Sequence, residues 1–243
     1  MNTLTTPPVR ATEFAWRIVT RVPVTLLMAA AALTTALVPP LGEVLQFDRA
    51  AIAGGEAWRL ATCHLSHWNF EHLKWDLVMF AVLGAVCEWR DPRRMRWCVL
   101  AAATAVSALV TVQFPEIAFY RGLSGIDTAL FTLLAIDLLR DALRDRNWLL
   151  ATATGGMLYG FAAKTLFEAA TGRTIFVDRE TAGFLALVWD HVIAGAVGIL
   201  CAAAFGMRGG WVASRIEDGI EPLRSKLARY KRRIRGELRR LSA

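Results

Sequence analysis

Ser124 stands between glycines in Gly122-Leu123-Ser124-Gly125, and His191 lies much further along, inside a long apolar stretch. A hydroxyl becomes a nucleophile when a base removes its proton, and neutral imidazole suits that task near neutral pH. Glycines on both sides of a serine allow close approach of a peptide backbone. At a helix start, free N–H groups and the helix dipole would also favour a developing oxyanion. A second group precedes these residues, in Cys63-His64-Leu65-Ser66-His67-Trp68-Asn69-Phe70-Glu71-His72-Leu73-Lys74-Trp75-Asp76. Its histidines and Asp76 could bind a transition metal. Histidines at positions i, i+3 and i+8 only partly share one helix face, however, and a metal leaves Ser124 unused. The expectation is therefore nucleophilic catalysis with no metal and no cofactor.

The elements that must position these groups are long and apolar. Six stretches, 22–44, 72–89, 97–113, 123–139, 148–169 and 183–207, approach the roughly 20 residues a bilayer-crossing helix needs. Helices are the natural way to satisfy the backbone where water is excluded. Counting upward from Arg90, Arg140 and Arg208 puts His72, Asp76, Ser124 and His191 about 21 to 27 Å above the inner face of a core about 30 Å thick. Four polar groups from three helices thus share one layer below the outer surface. Polar groups inside spans are costly and mark function.

The charge balance supports one orientation. Of 28 lysines and arginines, 21 fall in the segments 1–21, 90–96, 140–147 and 208–243, so both termini are expected inside. The N-terminal block runs too long for a cleaved signal peptide, and Val38-Pro39-Pro40 is a poor cleavage site. In the tail, Pro222 precedes Leu223, Leu227, Tyr230, Ile234, Leu238 and Leu241, with Arg and Lys filling most of the remaining positions. That pattern predicts a basic amphipathic helix on the anionic inner leaflet, and it explains the net charge of +7 without nucleic acid. The domain division is 1–21, a cytoplasmic segment; 22–207, the membrane domain; and 208–243, the basic tail. The hydrophobic fraction of 55% and mean hydropathy of +0.39 exclude a disordered chain. Cys63, Cys87, Cys98 and Cys201 form no CxxC pair, so neither a disulfide nor a zinc ribbon is expected.

Several motifs recur in an order that resembles the rhomboid family of intramembrane serine proteases. Gly55-Glu56-Ala57-Trp58-Arg59 resembles the Trp-Arg motif of that family's first outer loop. His67, His72 and Asp76 resemble its second-span pattern, which ends in Gly84-x-x-x-Glu88-x-Arg90. Gly122-Leu123-Ser124-Gly125 resembles the nucleophile motif, and His191 followed by Gly198 resembles the sixth-span histidine. The resemblance implies an all-α, six-helix rhomboid-like bundle, N-in and C-in. It implies Ser124 as nucleophile and His191 as base. Gly122, Gly125, His67, His72 and Asp76 would form the oxyanion and substrate site. Trp75-Asp76, together with Lys164-Thr165-Leu166-Phe167-Glu168 and Thr171-Gly172, is similar to the rhombosortase subgroup. That likeness implies substrates with a C-terminal signal of Gly-Gly, a membrane span and a basic end, cut at the outer side of a bacterial inner membrane.

Some positions depart from the family pattern. Many rhomboids place asparagine at Asp76, a ring at Thr128 and a small residue at Asp190, and Asp127 is unusual one turn after the nucleophile. An ionised Asp76 cannot donate to an oxyanion, so a supporting role in orienting His72 is expected of it. His67 is expected to gate water, contact lipid or act as an interfacial structural residue. Lys164 and Glu168, four apart, are expected to pair. The rival reading is a catalytically silent rhomboid-like protein that binds membrane helices. A transporter is disfavoured because no broken-helix pair repeats across the halves.

Overall fold

Long apolar blocks bounded by prolines and capping residues become helices, and a computed structural model describes residues 19–172 and 188–204 as mostly helical. The segments 1–18 and 205–243, with the expected basic tail, and residues 173–187 lie outside the described residues. The N-in, C-in assignment and the domain boundaries stay expectations.

The predicted span 22–44 is not one helix. Helix α1 (Pro23–Leu37) stops, and α2 (Pro39–Leu45) leaves it at 117°. The cause is Pro39-Pro40: a residue before proline avoids the helical region, and Val38 has φ −123° and ψ 81°. The chain then forms β1 (Phe47–Asp48), α3 (Arg49–Ala53), α4 (Arg59–Thr62) and a 3₁₀ turn, Cys63–Leu65. Arg59 locks this loop. It donates to the Glu43 and Gln46 carbonyls at 2.9 and 3.1 Å and to Glu56 at 2.7 Å. The Trp-Arg motif is thus a brace, with Arg59 buried and Trp58 exposed.

The remaining predicted spans correspond to α5 (Phe70–Arg90), α6 (Pro92–Gln113), α7 (Ser124–Arg144), α8 (Trp148–Thr171) and α9 (Val188–Ala204). Helix α6 starts earlier than predicted, at Pro92, because Asp91 caps the N–H groups of Arg93 and Arg94. By length and hydropathy among the described residues, α6 alone qualifies to cross a membrane, α1 and α2 qualify only together, and α9 is a shorter apolar helix. Buried carboxylates interrupt the others: Asp76 and Glu88 in α5, and Asp127, Asp137 and Asp141 in α7.

Helix α7 is the centre, with α5, α6, α8 and α9 packed around it. Its ionisable groups find partners inside. Arg94 grips Asp137 with two hydrogen bonds of 2.7 and 2.9 Å, and Arg90 reaches Asp141 at 3.0 Å. Glu88 of α5 accepts from the Val24 and Thr25 N–H groups at 2.9 and 2.8 Å, capping α1, and Gly84 one turn away leaves room for Thr25. The outside is apolar, with Leu27, Val82, Leu100, Leu149 and Leu200 exposed. The core itself is largely hydrophobic, so paired polar groups are embedded in an apolar interior beneath an apolar skin. All four cysteines are free and buried.

Candidate active site

The Gly122-Leu123-Ser124-Gly125 segment follows β2 (Phe119–Tyr120), which pairs antiparallel with β1, Phe47 opposite Tyr120. Arg121 ties this approach down by donating to the Gln46 side chain at 2.8 Å and to the His67 carbonyl at 3.2 Å. Gly122 has φ +131°, a region that side chains other than glycine rarely enter. A Cβ there would also fall 2.9 Å from the His72 ring and 3.3 Å from Asp76. The backbone is therefore pressed onto the second-span cluster. From the other side, the His64 Nδ1 lies 3.4 Å from the Gly122 carbonyl, while its Nε2 lies 3.1 Å from the Ala103 carbonyl and 3.2 Å from Ser107 Oγ.

Asp76 is the hub of the cluster. Its Oδ2 accepts the Leu123 N–H at 2.9 Å, and lies 3.2 Å from His72 Nε2 and 3.3 Å from His67 Nε2. The His67 nitrogen sits off the hydrogen-bond direction, and the two imidazoles meet edge to face at 5.1 Å. Asp76 thus positions His72 and the nucleophile loop together. His67 is buried, so it backs this cluster rather than contacting lipid. The four-residue metal cluster does not form, because both ring nitrogens of His64 are turned toward Gly122, Ala103 and Ser107.

Ser124 is the first residue of α7. No side chain caps this helix, and its first backward bond is Asp127 N–H to the Leu123 carbonyl at 2.9 Å. The N–H groups of Ser124, Gly125 and Ile126 are therefore the helix's leading donors, as an oxyanion site requires. Gly125 allows tight packing on α6, since a Cβ would lie 2.9 Å from Val106.

Helix α9 runs parallel to α7. Tyr120, just ahead of α7, donates to Asp190 Oδ2 at 3.0 Å. Thr132 donates to the Gly195 carbonyl at 3.1 Å, and Arg140 to the Ala202 carbonyl at 2.5 Å. Gly198 packs directly on Thr132 and Ala129, with no space for a Cβ. These contacts join residues 62 to 70 apart in the chain. Ser124 and His191 are 67 apart, so both belong to the same end of the paired helices. Both are half-buried. His191 Nε2 lies 3.6 Å from Asp190 Oδ1. Asp127, one turn after Ser124, is buried, and its Oδ1 has no hydrogen-bond partner among the described residues. Lys164 pairs with Glu168 at 2.6 Å, as expected.

Sequence reasoning missed two contributors. His64 was read only as a possible metal ligand, and Tyr120 was not singled out. The signal for Tyr120 is an aromatic hydroxyl four residues ahead of the nucleophile, in the approach to the Gly122-Leu123-Ser124-Gly125 motif.

The Rhomboid domain family model matches residues 54–208, which is more than half of the chain. The chain belongs to the rhomboid family. Members of this family are integral membrane proteins, generally intramembrane serine proteases, with some inactive relatives. No curated protein matches the chain.

Proposed function

We propose that this protein is an intramembrane serine protease in which Ser124 is the nucleophile and His191 the base. The observation that supports this most is the parallel packing of α7 on α9, with Ser124 opening one helix and His191 on the first turn of the other. Ser124 Oγ bonds to the substrate carbonyl carbon as its proton passes to His191. The resulting oxyanion lies against the leading N–H groups of α7 and the His72 ring. The carbon–nitrogen bond then breaks, and the proton moves from His191 to the leaving amine. Water, with His191 again as base, adds to the acyl-enzyme and releases a carboxylic acid and free Ser124. Asp76, whose Oδ2 lies 3.2 Å from His72 Nε2, orients that ring for this role.

The substrate class proposed is that of the rhombosortase subgroup: exported proteins with a Gly-Gly motif, a membrane span and a basic C-terminal end. Cleavage would occur at the periplasmic side of a bacterial inner membrane, in a six-span N-in, C-in fold whose tail 208–243 lies on anionic lipid. The departures from the family pattern at Thr128 and Asp190 are what favour the silent reading. The discriminating test is covalent labelling by a fluorophosphonate probe. Wild-type protein should label, and Ser124→Ala and His191→Ala should not, each at unchanged membrane accumulation. Equal labelling of Ser124→Ala would overturn the assignment.

A further inference from the structure

Asp190 is not used by a two-residue mechanism, yet it is buried beside the base. Its Oδ2 accepts the Tyr120 hydroxyl at 3.0 Å. Its Oδ1 has no hydrogen-bond partner among the described residues and lies 3.6 Å from His191 Nε2. A buried carboxylate with one oxygen uncommitted is costly, and that cost falls when a positive charge forms next to it.

We propose that Asp190, held by Tyr120, is a positioning residue for His191, so that the site works as a serine–histidine–aspartate arrangement with a tyrosine buttress. This rests on the serine–histidine reading above. When His191 takes the Ser124 proton it becomes an imidazolium, and the Asp190 carboxylate at contact distance stabilises that charge. Tyr120 fixes the carboxylate from the far side and ties the start of α9 to the strand that leads into the nucleophile loop. The other ionisable groups near this layer are His72 and Asp76 on α5, His67 just ahead of that helix, and Asp127 on α7. Helix α6 contributes Val106 and Ser107 at this level, neither of which titrates.

The experiment is the rate of fluorophosphonate labelling of Ser124 against probe concentration, in full-length protein reconstituted in phospholipid vesicles. Asp190→Asn should lower the limiting labelling rate at saturating probe about tenfold or more and leave the half-saturating probe concentration unchanged. Tyr120→Phe should slow labelling less than Asp190→Asn does. A slower Asp190→Asn whose half-saturating probe concentration rises as well would mean a general distortion of the pocket and overturn the inference, as would wild-type labelling. Should Asp190→Asn fail to accumulate, Tyr120→Phe decides: slowed labelling at normal accumulation supports the inference and an unchanged rate overturns it. Failure of wild-type protein to label at Ser124 would instead sink the protease reading, and the two failures are distinct.

Discussion

Gly122 concentrates the demands on the site in one residue. Its φ of +131° excludes most side chains, and the His72 ring occupies the space where a Cβ would stand. Gly122→Ala should therefore strain the backbone by about 1–3 kcal/mol and push Leu123 N–H away from Asp76. The expected result is strongly reduced probe labelling with a modest loss of thermal stability. Labelling at the wild-type rate would show that the His72–Asp76–Gly122 contact does not matter to the nucleophile. The motif in the sequence announced that a glycine belongs here. It did not announce why, because the reason is an imidazole from another helix. The same holds for Asp76. Its residue type alone suggested a poor oxyanion donor, and its hydrogen bond to Leu123 N–H supplies the positioning role instead.

At the scale of elements, helices α7 and α9 must lie close together for a serine on one to meet a histidine on the other. Gly198 makes that possible against Ala129 and Thr132. Gly198→Val should force the pair apart and abolish labelling, even though residue 198 is about two turns from His191. Retained labelling with normal accumulation would show that the spacing is not set there. Lower in the bundle, Arg94 and Asp137 are both nearly buried and joined by two hydrogen bonds. Removing one partner leaves the other charge stranded, so Arg94→Ala should destabilise the fold by about 3–5 kcal/mol. The double variant Arg94→Met with Asp137→Leu should recover much of that loss. Thermal denaturation in detergent reads both, and equal losses would mean that the pair is not the source. Helix positions were legible in the sequence because apolar blocks and capping residues act locally. The 117° break at Pro39 carried a local signal as well, but the apolar composition on both sides made 22–44 read as one span.

For the whole molecule, lysine and arginine are biased to one side of the predicted bundle. Reporter fusions should read residue 146 and the C-terminal tail as cytoplasmic, and residue 115 as external. An alkaline phosphatase fusion active at 146 and silent at 115 would invert the topology and put Ser124 on the wrong side for exported substrates. The pairing of the buried polar groups under an apolar surface fits that arrangement energetically. Carboxylates that lipid could not solvate, such as Glu88 and Asp137, are instead met by backbone N–H groups or arginine within the bundle.

The sequence by itself located most of the helices, and it carried the expectations that positive charge lies on one side and that a serine and a histidine fall near one depth. Each of these follows from local hydropathy, helical rise or charge counting, so no knowledge of packing is needed. Only the tertiary structure decided which polar groups meet. It set the rotation and spacing of α7 against α9, turned His64 to brace Gly122, and brought Tyr120 to Asp190. Those contacts join residues 58 to 70 positions apart, and they depend on how side chains interlock across helices, which no local pattern encodes.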